Sequence, residues 1–329
     1  MRLLRDLVGP DFVGFVEEQG ERATQVAREL GVRAYPSLDA LLREVDALTI
    51  VVPTPSHYAV ARAALEQGKH VLIEKPLAAT LDEADELLAI ARRTGAMIQT
   101  GHVERFNRAV RAALPYVDHP RFIESDRLAP FSARGSDVAV VLDLMIHDID
   151  LVRTLVGGQV AEVAAVGVPV LTPFPDIANA RLVFDSGAVA NITSSRVSRE
   201  RMRKVRIFQP SGYMSLDLAA GTGEFFRMRS GLDLGELTRA AAASRAPLSL
   251  ESFVERIPLE APDGEPLRLE FEGFLAALEG RQPVVVSGED GREALAVALR
   301  IVSEIERGLP ALAGRGIAGL DEETGPLGA

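Results

Sequence analysis

Residues 46–77, DALTIVVPTPSHYAVARAALEQGKHVLIEKPL, decide the fold. Ala47 to Val52 is a short, nearly continuous apolar run, the pattern of a strand buried on both faces. Pro53-Thr54-Pro55-Ser56 breaks the run and turns into a helix, His57 to Gln67, which Gly68 ends. His70 to Ile73 is a second strand of the same kind. It stops at Glu74-Lys75-Pro76, because proline cannot donate to a ladder. Strand, helix and strand at this spacing form a right-handed crossover, which requires a parallel sheet.

The alternation extends in both directions. Upstream, Met1 to Val8 reads as the end of an amphipathic helix and Phe12 to Val16 as a short apolar strand. Glu21 to Leu30 is a helix stopped by Gly31, and Ser37 caps a short helix from Leu38 to Glu44. Downstream, Leu81 to Thr94 is a helix closed by Gly95, and Ala96 to Thr100 is the next strand. From about residue 120 the pattern changes. Arg121–Leu128, Val160–Val170, Ile177–Phe184, Ala188–Arg196, Lys204–Gln209 and Tyr213–Leu218 read as strands. Turns such as Asp185-Ser186-Gly187 and Pro210-Ser211-Gly212 make them an antiparallel meander. A helix from Leu142 to Val156 precedes most of it, and two more lie near Leu267–Glu279 and Gly291–Glu306. Ala219 to Pro247 is rich in Gly and Ala and shows no clear period. The expected division is 1–101, 102–310 and a flexible tail, 311–329. A chain of 329 residues suits two domains of about 100–200 residues each.

Composition narrows the function. The net charge of -11 disfavours nucleic acid, whose phosphates need Lys and Arg contacts. The absence of cysteine removes disulfides, thiolate zinc sites and cysteine nucleophiles, and nothing else calls for a metal. No run of 18 or more residues is purely apolar, and the N-terminus lacks the pattern of a secretory signal. A cytoplasmic protein without membrane attachment is therefore expected. Among its 36 basic residues only Lys69, Lys75 and Lys204 are lysine. A lysine kept in an arginine-rich chain draws notice, because it can shift its pKa and arginine cannot.

In parallel sheets of this kind, ligands bind at the carboxyl ends of the strands. Those ends carry Glu17, Pro53 to His57, Glu74-Lys75-Pro76 and Gly101-His102. Lys75 is either a solvated lysine at a strand end or an amine tuned for proton transfer. Asp143 and His147 stand four apart on one helix and share a face. They are either a helix-terminal acid with an incidental histidine, or an acid/base histidine with its orienting carboxylate. Asp148 and Asp150 are surface charges or ion-pair partners. Glu17 is a ribose-binding carboxylate or an ordinary loop charge. The turn Pro53-Thr54-Pro55-Ser56-His57 faces a pyrophosphate or ribose, or simply caps its helix.

Four segments together resemble the glucose–fructose oxidoreductase, inositol dehydrogenase and MocA family. They are 46–57 (DALTIVVPTPSH), 68–77 (GKHVLIEKPL), 101–107 (GHVERFN) and 142–151 (LDLMIHDIDL), in the family's order and spacing. The resemblance implies an α/β Rossmann-type parallel sheet plus an α+β domain with a large, mainly antiparallel sheet. It implies NAD, with NADP less favoured, bound by Glu17, Pro53, Thr54, Ser56, His57, Glu74, Lys75 and Pro76. Lys75, Asp143 and His147 become the catalytic residues. His147 takes the hydroxyl proton and Lys75 polarises the oxyanion, or the two exchange roles. His102, Arg105, Asn107, Asn179 and Arg196 fall on the substrate side. Residues 121–209 further resemble the branch that oxidises the 3-hydroxyl of UDP-N-acetylglucosamine. The basic cluster Arg196, Arg199, Arg201, Arg203 and Lys204 would suit such a diphosphate, or forms a solvated strand or subunit contact. A free polyol substrate and a non-catalytic sugar-binding protein are the alternatives. A homodimer or homotetramer through an open, apolar sheet face is expected.

The chain departs from the family at its start. No G-x-G-x-x-G turn precedes Phe12–Val16, and the chain begins where the first helix should be ending. The first strand, central in the usual order, is expected to be missing. Two strand edges would then be exposed, against a total stability of about 5–15 kcal/mol. An upstream segment is the preferred explanation. The other is a chain that does not bind the dinucleotide in the usual way.

Overall fold

The computed structural model describes residues 1–132, 135, 138–229, 235, 239 and 253–313, with side chains as far as 308. Strands β1 (Ala47–Ile50), β2 (His70–Glu74) and β3 (Ile98–Gly101) form a parallel sheet in that order. Ile50 lies opposite Ile73, and Glu74 opposite Gly101, so the carboxyl ends reach one edge together. Helices α4 (His57–Glu66) and α5 (Leu81–Thr94) cover one face, packing Ala61, Leu65, Leu87 and Ile90 against Val71 and Ile73. Helix α5 starts on a capping box. Thr80 Oγ1 accepts from the Glu83 N–H, and the Glu83 carboxylate accepts from the Thr80 N–H. On the other face, α1 (Arg2–Val8) and α8 (Pro266–Leu278) lay Leu3, Leu7, Phe271 and Phe274 on Leu72.

Phe12 to Val16 is not a strand. Phe15 makes one parallel bridge to Ala34, its N–H donating to Arg33 O and its carbonyl accepting from Tyr35 N–H. The approach is so close that a side chain on Gly14 would collide with the Arg33 carbonyl. One bridge to a three-residue partner is too short a ladder to make a strand. The outer edge of β1 pairs with no described strand, so the parallel layer stands in two pieces.

The second sheet has eight strands in the order β11-β10-β9-β8-β4-β7-β6-β5. These are β4 (Phe122–Leu128), β5 (Val160–Val168), β6 (Ile177–Phe184), β7 (Val189–Ser195), β8 (Met202–Gln209), β9 (Gly212–Asp217), β10 (Thr222–Met228) and β11 (Val254–Leu259). All neighbours run antiparallel except β4 and β7, because β4 inserts between β7 and β8. The simple meander is therefore corrected to a mixed sheet. Strands β10 and β11 lack a counterpart in the sequence reading.

The inner face packs Ile123, Ile192, Ile207 and Met214 against Ile149 and Ile301. These last two come from α7 (Ile146–Val156) and α9 (Gly288–Ala313). Helix α9 belongs to both layers. Leu295 joins the core of the parallel sheet, while Ala294, Val297, Ala298 and Ile301 join the larger core. The chain thus returns to its first domain through α8 and α9, which a single cut at residue 101 does not express. The expected tail begins later than residue 311, since α9 runs to Ala313; its remainder lies outside the described residues. Among the described residues no helix is long and apolar enough to cross a membrane.

Candidate active site

Lys75 extends from the end of β2 towards the start of α7. Its Nζ donates to the Asp143 carbonyl at 2.5 Å and lies 3.5 Å from Asp143 Oδ1. Asp143 sits in a π-helical turn, Val141–Met145, that leads into α7. The Ile146 N–H reaches back five residues to the Val141 carbonyl, the wide spacing often found at functional sites. His147 follows one residue into α7. The cross-element contact between Lys75 and Asp143, 68 positions apart, brings the expected residues together.

The surroundings set their charge states. Burial pulls the Lys75 amine below its ordinary value, and the Asp143 and Glu74 carboxylates oppose that pull. His147 is held well below 6.5, first by burial and then by the positive charges of Lys75 and Arg127. It is neutral at neutral pH, with Nδ1 buried and without a partner. His102 stands edge-on to it, ring centroids 6.1 Å apart, buried and with neither ring nitrogen partnered. Burial lowers His102 too.

Beneath the histidines lies a tier of buried ion pairs. Arg127 Nε donates to Asp148 Oδ2 at 2.6 Å and Nη1 to Glu104 Oε1 at 2.8 Å. Arg105 grips Asp150 with two bonds, 2.8 and 2.6 Å, and approaches Asp290 at 3.4 Å. Asp148 and Asp150 are thus ion-pair partners. Removing one member of such a pair strands a buried charge, typically at a cost of about 3–5 kcal/mol. Arg203 lies opposite Arg127 in the β4–β8 register and touches Glu104 at 3.4 Å. Its side chain is 48% exposed.

Several expected ligand residues have other tasks. His57 is buried within hydrogen-bond distance of the Pro76 carbonyl (2.8 Å) and the Val52 carbonyl (2.9 Å). It ties the two ligand-edge turns together instead of facing a cofactor. Arg105 has spent its fork on Asp150. The Asn107 amide donates to Glu104 and to the Leu218 carbonyl, while its oxygen caps α6 (Arg108–Ala113) at the Ala109 N–H. Asn179 lies on the opposite face of the large sheet, bonded to Thr193. Arg196 is buried against Asp176. In the basic cluster, Lys204 pairs in register with Asp126 on that opposite face, whereas Arg203 lies opposite Arg127 and contacts Glu104; Arg199 and Arg201 are exposed. The sequence reading passed over Glu104 and Arg127. An acid and a base with no fixed spacing reveal their pairing only once the fold brings them together.

Both domains match known proteins. Residues 2–102 match the model of an oxidoreductase family with an NAD-binding Rossmann fold, and residues 108–214 match its C-terminal domain. The UDP-N-acetylglucosamine 3-dehydrogenase of Acidithiobacillus ferrooxidans is 39% identical over 89% of each chain. The chain belongs to the Gfo/Idh/MocA oxidoreductase family. A solved structure of that dehydrogenase aligns with a TM-score of 0.82 at 36% identity, over 94% of this chain and 95% of the other. The NAD(+)-dependent scyllo-inositol 2-dehydrogenase of Bacillus subtilis is 31% identical over 54% of this chain and 57% of its own. The WlbA dehydrogenase of Bordetella pertussis, solved with NADH and UDP-GlcNAcA, shares the fold at 18% identity and a TM-score of 0.73. It covers 90% of this Gfo/Idh/MocA chain and 88% of its own. Like its relatives, this family member is an NAD-dependent oxidoreductase acting on CH–OH groups.

The ligand edge fits the nicotinamide half of NAD. Val51 is 70% exposed at the carboxyl end of β1, with Val52 also exposed beside it. The turn Thr54–Ser56 follows, and no side chain caps it. Exposed valines next to the Thr54 and Ser56 hydroxyls suit a flat ring with a polar rim. Pro53, Thr54, Ser56, Glu74, Lys75 and Pro76 surround this edge. Glu17, just past the Phe15 bridge, accepts from the Gln19 N–H at 3.1 Å and pairs with Arg22 at 3.3 Å.

Proposed function

We propose that this chain oxidises the 3-hydroxyl of a nucleotide sugar resembling UDP-N-acetylglucosamine to a ketone. The approach of Lys75 to Asp143 beside a neutral, part-exposed His147 carries the reading. The likeness to a UDP-N-acetylglucosamine 3-dehydrogenase, over 89% of each chain, supports the substrate. Pro53, Thr54, Ser56, Glu74 and Pro76 hold the nicotinamide end, and NAD supplies the hydride acceptor there. His147, neutral, receives the hydroxyl proton as the carbinol hydrogen departs with its electron pair and the C=O bond forms. Lys75 donates a hydrogen bond to that oxygen while charge builds on it. Asp143 orients Lys75. Arg203 meets the diphosphate. The same reading makes the protein a cytoplasmic homodimer or homotetramer.

The test mixes the chain with NAD and offers UDP-N-acetylglucosamine, free N-acetylglucosamine or myo-inositol, following NADH by absorbance. Turnover of the nucleotide sugar alone is expected. Turnover of inositol instead would transfer the assignment to the polyol reading, which the scyllo-inositol relative represents. Binding of the nucleotide sugar without NADH formation would favour a non-catalytic protein. Arg203→Gln should raise KM for the nucleotide sugar about tenfold, the worth of one charge-assisted bond, with kcat little changed.

A further inference from the structure

Arg196 lies one residue beyond β7 and turns its guanidinium inward. Nε donates to Asp176 Oδ1 at 2.7 Å and Nη1 to the Gly135 carbonyl at 2.5 Å. Nη2 reaches the Thr172 hydroxyl at 3.2 Å and the Pro175 carbonyl at 3.4 Å. Asp176 is equally committed. It accepts the N–H groups of Val170, Leu171 and Thr172 at 2.8, 2.6 and 2.9 Å, and the Thr172 hydroxyl at 2.8 Å. Burial alone would raise its carboxyl, but those N–H groups and Arg196 hold it well below the usual carboxylate range. The ion pair is complete without Gly135, so the bond to that carbonyl is additional to its needs.

Gly135 touches the reacting site. Its φ of +77° is left-handed, and a Cβ placed on it would lie 2.5 Å from Asp143 Oδ2 and 2.8 Å from Asp143 Cγ. The backbone of Gly135 thus lies directly against the carboxylate that faces Lys75. A rigid ion pair reaches Asp143 through a single carbonyl.

We infer that Arg196 is a positioning residue for the Asp143–Lys75 pair: by gripping the Gly135 carbonyl it presses Gly135 onto the Asp143 carboxylate, keeps water from that side and fixes the carboxylate towards Lys75. The inference rests on the reading of Lys75, Asp143 and His147 as the reacting site. It replaces the contact with substrate expected of Arg196, which its burial does not permit.

Two variants test it, Arg196→Met and Gly135→Ala. The second disturbs the contact with Asp143 while leaving the ion pair whole, so it carries the test if the first does not fold. In each, kcat should fall about ten- to a hundredfold, the usual effect of misplacing a catalytic group by an ångström, with KM for NAD nearly unchanged. Loosening Asp143 takes a raising charge away from Lys75, while water admitted beside it relieves burial, so the Lys75 limb of the kcat–pH profile should leave its wild-type position. With only Lys69, Lys75 and Lys204 present, NMR of isotope-labelled dimethyl-lysine follows the Lys75 titration directly, without turnover. A displaced Lys75 titration in both variants supports the inference even if the substrate has been wrongly assigned. A folded variant with wild-type kcat and an unmoved Lys75 titration would overturn it. So would a loss of kcat that parallels a loss of Tm while the titration stays in place.

Discussion

His147 owes its chemistry to its neighbours. Burial and the charges of Lys75 and Arg127 keep it neutral, so it accepts a proton at neutral pH without first losing one. Its folded pKa lies below the unfolded value. The unfolded chain therefore binds more protons in the interval between them, and stability falls as pH drops below about 6.5. In turnover, kcat should be flat through that same pH, because the histidine does not titrate there while folded. His147→Ala and Lys75→Met should each lower kcat by about 10²–10⁴-fold, with KM for the sugar changing much less. Steady-state kinetics across pH would show it, and a limb at the ordinary histidine value would refute the neutral-base role. That Lys75 meets Asp143, one turn before His147, was legible from their motif positions. That Arg105, Asn107 and Arg196 are held by Asp150, Leu218 and Asp176 was not, because sequence shows where a donor lies, not which acceptor faces it.

Among the elements, the βαβ units were legible nearly to the residue, since buried parallel strands and capped helices leave strong periodic signals. Helix α5 and strand β6 fall within their expected bounds. The failures have physical reasons. Phe12–Val16 has the composition of a strand but only the Arg33–Tyr35 segment to pair with. Strand β10 opens with Thr222-Gly223-Glu224 beside a Gly- and Ala-rich stretch, which masks its alternation. Helix α8 was found, but not the acid inside it. Glu270 is fully buried, both carboxylate oxygens lack a partner, and burial aided by the Glu74 charge pushes it up to about 8. The folded chain keeps a proton that the unfolded chain loses near 4.5. Stability is therefore lost as pH rises between those values, by up to about 1.4 kcal/mol per pH unit. Glu270→Gln removes that loss. Its Tm should nearly match wild type near the lower value and exceed it increasingly towards the upper. Melting curves that stay parallel across this range would show that Glu270 ionises freely.

For the molecule as a whole, the outer face of the eight-stranded sheet is less apolar than its sequence suggests. Phe122, Phe208, Tyr213 and Phe226 stack across it at 5.7, 5.5 and 4.7 Å between successive centroids. Beside them run Glu124–Arg206 at 2.6 Å and Arg181–Asn191 at 3.1 Å, and Val166 and Val168 are exposed at the β5 edge. Such a patchwork still suits self-association, because interfaces are only modestly more apolar than ordinary surface and favour aromatic residues. No described helix covers this face, while α6, α7 and α9 pack on the inner face. A homodimer that buries about 1,200–2,000 Å² here would be stable. Sedimentation should then show a dimer or tetramer. Tyr213→Asp, which places a charge inside the aromatic stack, should yield monomers. Because Lys75, Asp143 and His147 lie beyond the opposite face, those monomers should keep the site's charge states, and Lys75 should titrate as in the assembled protein. A wild-type monomer would remove the basis for assembly. A Tyr213→Asp dimer would move the contact elsewhere, with the exposed β5 edge the next surface to test.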